Sequence, residues 1–328
     1  MYDVITLGSA AMDVFIDTDS ELLTIATPQI KAKHICYPSG SKILIRDVQH
    51  LSGGGGTNTA VSFARLGLKT AYLGNLGDDD NAKAIVDQLK KEKVKFIGTK
   101  GKDTTNFSII LDSIEHDRTI LVKRDASDKL DFSKIDKKKV KARWLYMSSL
   151  IGKSYQTAIR LLAYAKKHKM KTAANISIYQ AEQKVAKLKP LLKNIDVLIF
   201  NKEEAQAMLD TTSNDIVQLL KNASATGPEI VVITNGKEGA HCYDGSHYYF
   251  IKSSKLKVVE STGAGDAFAS GFVASLAKGK DVEFSMKIAL ANSQSVVRYV
   301  GAKNKLLSWS AALKDIKAYK LKVRKKKV

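Results

Sequence analysis

At 328 residues and 44% hydrophobic, the chain has ample apolar material for one large α/β unit or two domains. No run of eighteen apolar residues occurs, and the opening MYDVITLGSAAMD lacks a basic n-region and a small-residue cleavage site, so a soluble, unprocessed, cytoplasmic chain without membrane contact is expected. The formal net charge of +20 would suit a polyanion, but the lysines are spread along the chain and aromatics make up only 7%, which argues against nucleic acid as a partner.

In chain order, DVITLG (3–8) reads as a buried strand. HICYPSGSKILIRDVQH (34–50), with His34 and His50 at its ends, reads as a β-ribbon or hairpin. TNTAVSFARLG (57–67) places Ala60, Phe63, Ala64 and Leu66 on one side, as an amphipathic helix capped by Thr57 would. TAYLGNLG follows as strand and DNAKAIVDQLKKEKV as helix. TNFSIILDSIEHDRTILVKR (105–124) is a second ribbon, turning near EHD. Strand and helix then alternate: ARWLYMSSL before SYQTAIRLLAYAKKHK, DVLIFN before KEEAQAMLD, IVVITNG, and KLKVVE as a strand ending at Glu260. That order predicts a mostly parallel sheet with helices on both faces. The two ribbons, roughly 11–50 and 103–125, predict a small separate sheet lying over one edge as a lid.

Cys36 and Cys242 lie far apart without metal spacing, and His241 and His247 are expected to be surface or satisfied histidines. The final fifteen residues, KDIKAYKLKVRKKKV, carry eight basic side chains and read as a solvated tail.

The stretch that carries chemistry is ESTGAGDAF (260–268). A glycine-rich turn opening a helix leaves backbone N–H groups unpaired and aimed at solvent, and small residues at Gly263, Ala264 and Gly265 let an anion approach them. Asp266 would repel that anion unless it serves as a base for an attacking hydroxyl. The alternative is an acid that complements the helix dipole. A dinucleotide turn fits poorly: Phe268 occupies the third glycine position, and Glu283 lies in a helical stretch. No Walker-type phosphate loop is present.

Three further stretches belong with it. GGGGTN (53–58) is a second glycine run opening a helix, where backbone would lie close to a ligand. ITNGKEGA (233–240) ends a strand with Thr234, Gly236 and Gly239, suited to a loop around phosphates or to a simple turn. NKEE puts Asn201 and Glu204 at the end of a buried strand, as metal-organising groups or as a helix cap.

Together these resemble the ribokinase-like, or PfkB, family of carbohydrate kinases. Residues 54–77 are similar to its first signature, 260–272 to its second, and NKEE to its N-x-x-E magnesium motif. The resemblance implies a single kinase domain of three layers, α/β/α, with a β lid, transferring the γ-phosphoryl of ATP to a hydroxyl. It implies Asp266 as base, with the amides of Gly263, Ala264 and Gly265 around the phosphoryl group. Asn201 and Glu204 would organise Mg2+, and Thr234, Gly236, Gly239 and Asn292 would contact ATP. Asp13, Gly54, Gly55 and Asn58 would contact the sugar. A monovalent cation such as K+ is implied near Glu260, which replaces the usual aspartate, and the lid faces (Ile43, Ile45, Phe107, Ile109) are implied as a homodimer contact. Ala11 and Gly55 stand where ribokinases proper carry Asn and Lys. AANIS (173–177) keeps the Asn but not the acid and Arg of a D-x-N-x-R pattern, which weighs against an acidic sugar such as a ketodeoxygluconate. A nucleoside kinase and a non-catalytic sugar or nucleotide sensor remain as alternatives.

Overall fold

The computed structural model describes residues 1–18, 21–26, 31–112 and 118–328. The chain opens with β1 (Tyr2–Leu7), then makes an excursion through β2 (Ala11–Thr18), β3 (Glu21–Ala26), β4 (Lys31–Cys36) and β5 (Ile45–Gly53). It returns through α1 (Gly55–Arg65), β6 (Thr70–Leu73), β7 (Asn75–Leu76), α2 (Asp80–Lys91), β8 (Lys95–Phe96) and β9 (Thr99–Lys100). A second excursion, β10 (Asn106–Asp112) and β11 (Arg118–Lys123), precedes a regular alternation. This runs β12 (Ala142–Met147), α3 (Gly152–Lys167), β13 (Lys171–Asn175), α4 (Ile178–Ala181), α5 (Lys184–Leu192), β14 (Val197–Asn201), α6 (Lys202–Leu209), α7 (Ile216–Ser224) and β15 (Ile230–Thr234). The chain closes with β16 (Ala240–Tyr243), β17 (His247–Ile251), α8 (Ala264–Ala277), α9 (Val282–Val296), α10 (Trp309–Ala318) and β18 (Val323–Lys327).

The main sheet has the order β18-β17-β16-β15-β14-β13-β12-β1-β6-β8, parallel from β15 to β8 and antiparallel beyond β15. Its strands are apolar on both sides, and the period of two divides them between two cores. Ile5, Leu7, Leu145, Leu198 and Phe200 pack toward α3, α5, α6 and α7. Val4, Trp144, Tyr146, Val197 and Ile199 pack with the apolar residues of α8 and α9. The parallel strands end at one edge of the sheet, where ligands of open α/β sheets bind, and the residues there are Ser148, Asn175, Asn201 and Thr234.

The two excursions build a second sheet of order β11-β10-β2-β5, which joins the main body where β2 begins and β5 ends, at Ala11 opposite Gly53. The ribbon of 105–124 is an antiparallel pair as expected, while its turn near EHD falls outside the described residues. The hairpin expected over 34–50 is not formed. β4 pairs with β3 and β5 with β2, so the two strands belong to different sheets. The connection 37–44 between them is longer than the two to five residues that lock a hairpin, so no local turn dictates their pairing.

Two other expectations are corrected. KLKVVE is not a strand: residues 252–260 carry no sheet pairing, and Val258 and Val259 are 59% and 51% exposed. β17, the strand that precedes it, already has β16 and β18 on its two sides. The basic end is not a loose tail either, because α10 packs on α9 and β18 pairs with β17, Lys325 opposite Tyr249. Its lysines line an exposed sheet edge, where charge discourages further strand addition.

Candidate active site

Two helix N-termini meet at the C-terminal edge of the main sheet. The first is that of α1. Gly54, at φ 90°, is its N-cap, in a backbone region that side chains resist, and a Cβ there would come within 2.6 Å of Ser9 O. The helix cap therefore lies three residues earlier than expected. Thr57 is not its cap but sits in the first turn, donating its hydroxyl to Gly53 O at 2.6 Å. The glycine run is required by the protein itself: Gly56 abuts the Gly8 backbone, Gly53 abuts the Asp13 carboxylate, and a Cβ at Gly55 would lie 2.6 Å from Ser148 Oγ and 3.3 Å from Asp266 Oδ1.

The second N-terminus is that of α8. Gly263, at φ 77°, is the N-cap, and a Cβ would meet Ala302 Cα at 2.8 Å. At Gly265 a Cβ would enter open space. The amides of Gly263 and Gly265 have no hydrogen-bond partner among the described residues, whereas the Ala264 amide donates to Ser261 O at 3.1 Å. The expected set of three free amides is thus two, because a tight turn at Ser261 takes the third. The positive end of the helix dipole adds to the attraction of these amides for an anion.

Asp266 follows in the first turn. Its Oδ2 accepts a hydrogen bond from Asn58 Nδ2 at 2.9 Å, joining the two helix ends. Burial pushes its carboxyl above the ordinary carboxylate range, while the Asn58 hydrogen bond and the Lys303 ammonium pull it back. Asp13 on β2 behaves alike: burial raises it, and Ser108, its register partner on β10, and Lys303 oppose the rise. Asn58 Oδ1, Ser148 Oγ and Tyr146 Oη are buried without a hydrogen-bond partner among the described residues. Orphaned atoms of this kind are rare in folded proteins and suit a hydroxyl-rich ligand. Glu260, 5% exposed, accepts the Gly301 amide at 2.7 Å.

Beyond Gly265 the edge opens into two cavities that share Thr234, Gly236, Lys237 and Gly265. One, of about 500 Å³, is lined also by Asn175, Asn201, Glu203 and Glu204. The other, of about 830 Å³, carries Gly239, Leu256, Val258, Phe268, Leu290 and Val297 on its walls, an apolar slot with a polar mouth. Asn201 and Glu204 form a reciprocal capping box for α6: Asn201 Oδ1 accepts the Glu204 amide and Glu204 Oε2 accepts the Asn201 amide, each at 2.8 Å. The cap and the cavity wall are the same two side chains. Burial raises the Glu204 carboxyl above its ordinary range.

Asn292 is placed differently from expectation. Its side chain is fully buried, donating to Ser62 Oγ at 3.0 Å and Ala267 O at 2.8 Å and accepting the Leu307 amide at 2.9 Å. Both of its donors and one acceptor site go to tying α9 to α1, α8 and the following loop. Its neighbours Ser293 and Gln294, turned by the helical period, line the apolar slot instead.

Residues 4–309 match the model of the pfkB family carbohydrate kinases. The chain belongs to that family. It is accordingly a sugar kinase, a phosphotransferase with an alcohol group as acceptor. Among curated relatives it is 26% identical over 268 residues to the 5-dehydro-2-deoxygluconokinase of Bacillus subtilis, covering 75% of this chain and 80% of that one. It is also 26% identical over 306 residues to the ribokinase of the same organism, covering 88% and 90%. The fold matches that of Arabidopsis thaliana ribokinase complexed with ribose and ATP, with a TM-score of 0.79 and 21% identity over 96% of this chain and 99% of that one.

Sequence reasoning missed two groups of this kinase's site. Ser148 directly follows β12 in a run, MSSL, that reads only as the end of a strand. Lys303 is 6% exposed, with its Nζ donating to Ser52 O, Ser52 Oγ and Thr57 Oγ1 at 2.6, 2.7 and 2.9 Å. In a chain with fifty-three lysines and arginines nothing local distinguishes it. Only the return of the 297–306 loop onto the glycine run shows it.

Proposed function

We propose that this kinase transfers the γ-phosphoryl group of Mg-ATP to a hydroxyl of a small sugar, with Asp266 as the general base. The observation that carries the reading is the Asp266 carboxylate, held by Asn58 at the mouth of α8 one residue from Gly265, which lines both cavities and whose amide has no hydrogen-bond partner among the described residues. In the reaction the acceptor oxygen bonds to the γ-phosphorus, its proton passes to Asp266, and the bond to the β-γ bridging oxygen breaks to release ADP. The Gly263 and Gly265 amides receive the negative charge on the transferred group.

The acceptor would lie between the α1 and α8 N-termini, under the four-stranded sheet as a lid. Asp13 and Asn58 would bind its hydroxyls, and a bound hydroxyl would satisfy Asn58 Oδ1. Gly54 and Gly55 contribute by keeping the backbone close to Ala10 and Ser148, which leaves that space open. The nucleotide would occupy the two joined cavities, with its base in the apolar slot and its phosphates past Thr234, Gly236 and Gly239.

Magnesium fits the wall formed by Asn201, Glu203 and Glu204. One Glu204 oxygen is committed to the cap, and Oε1 has no partner among the described residues. No group of three or more His, Cys, Asp or Glu able to hold a metal ion occurs among the described residues, so this chain would hold the ion through water and substrate phosphates. Held by Asn201, Glu203 and Glu204, the ion would supply neutralisation of phosphate charge. Glu260 is the residue the reading gives to a monovalent cation, which a comparison of potassium with choline salts tests.

A coupled ADP-release screen of neutral sugars, sugar acids and nucleosides with Mg-ATP tests the proposal. One class of acceptor should give saturable turnover. Release of ADP at an acceptor-independent rate across the whole panel would contradict it.

A further inference from the structure

Lys303 has no place in the reaction as described, yet it is the most deeply buried cation beside it. Its three ammonium protons meet three neutral oxygens, two on Ser52 at the end of β5 and one on Thr57 in the first turn of α1. No carboxylate lies within ion-pair distance of it among the described residues. The charged groups that face it are Asp13 from β2, Asp266 from α8, Glu92 from the end of α2, and Arg65 from the end of α1; Glu260 faces Asp13. Arg65 locks the same loop, donating Nη1 to Lys303 O at 2.9 Å while pairing with Glu92 at 2.6 Å.

Burying an ammonium without a contacting anion is costly, and an apolar side chain of similar length would fill the space without that cost. Burial, with a smaller push from Arg65, brings Lys303 down to about 7 even though Asp13 and Asp266, the two largest opposing influences, pull it up. A group held at such a cost between two site carboxylates is explained by what it does to them.

We propose that Lys303 is a positioning residue: its ammonium clamps the loop after α9 to the glycine run and supplies the positive charge that favours the ionised forms of Asp13 and Asp266. The inference rests on the reading of Asp266 as base. It predicts that the kinase carries an internal cation under its acceptor site, independent of any ion from solution.

Carboxyl titration by 13C NMR of protein labelled at aspartate, with Asp266 and Asp13 assigned through Asp266→Asn and Asp13→Asn, reads this without an acceptor. In Lys303→Met the Asp266 midpoint should rise by about one pH unit, the size expected when a nearby opposite charge is removed. Lys303→Gln retains two donors without charge and should shift alike, whereas Lys303→Arg should keep the parent midpoint. An unmoved midpoint in folded Lys303→Met, or a Gln variant that behaves as the parent, would overturn the inference and leave Lys303 a hydrogen-bonding clamp. If neither neutral variant folds, Lys303→Arg decides: the parent midpoint supports the inference, while a shifted midpoint or failure to fold overturns it. A shifted midpoint with turnover unaffected by Asp266→Asn would sink the base reading and leave this inference standing.

Discussion

Asn58 and Asp266, 208 residues apart in sequence, are joined by a 2.9 Å hydrogen bond from Nδ2 to Oδ2, which ties the first turn of α1 to the first turn of α8. Because a hydrogen bond to a charged group contributes about 1.5–3 kcal/mol, Asn58→Ala should lower kcat/KM by roughly 10–100-fold. It should also move the acid limb of the pH profile upward, since the bond favours the ionised carboxylate. Steady-state kinetics across pH checks both effects, and a loss confined to KM with no change in the profile would assign Asn58 to acceptor binding alone.

The raised carboxyl of Asp266 also makes a statement about stability. Its folded value lies above its unfolded one, so its contribution is fully present below the unfolded value of 3.8 and is lost as pH rises through the folded value. At pH 7 the ionised side chain is therefore a cost. Asp266→Asn, neutral at every pH, should melt about 2 °C or more above the parent at pH 7, with the difference shrinking toward pH 4. Calorimetry at the two pH values measures it.

Much of this was legible from residues 3–8, 142–150 and 196–201, whose apolar runs are buried strands of the parallel sheet. The two glycine runs and Asp266 were legible because backbone freedom and a carboxylate at a helix start have few uses. The glycines at 53–56 nevertheless serve packing against Gly8 and Ser148, which no local pattern reveals. Pairing of β5 with β2, the burial of Asn292 and the arrival of Lys303 all depend on contacts between distant segments. KLKVVE shows the converse, a strand-like composition that pairs with no sheet.

Magnesium handling is predicted to run through Glu204. Glu204→Gln keeps the capping-box geometry, because the amide oxygen can still accept the Asn201 amide, but removes one negative charge from the cavity wall. The half-saturating magnesium concentration should rise severalfold while nucleotide still binds and the melting temperature holds. An unmoved magnesium titration would reduce Glu204 to a helix cap.

The four-stranded sheet is predicted to close on the acceptor. Amide exchange in β2, β5, β10 and β11 should slow when the acceptor found in the screen is added, because closure orders the sheet and excludes water. The same sheet leaves Ile45, Ile120, Leu121 and Val122 at least half exposed. If these cover one another in a homodimer, sedimentation should report a dimer that Ile120→Lys dissociates. A monomeric parent with exchange unchanged at saturating acceptor would leave the sheet neither lid nor interface.

The most direct test of the account is the turnover of Asp266→Asn with Mg-ATP and the acceptor from the screen. Asparagine preserves the first turn of α8 and can still accept from Asn58, but it cannot take the hydroxyl proton. A positioned base contributes about 10²–10⁴ in rate, so kcat should fall by at least about a hundredfold while nucleotide affinity holds or improves, one negative charge beside the phosphates being gone. Turnover within about threefold of the parent, far below what a base contributes, would contradict the account and leave Asp266 an acid that complements a helix dipole.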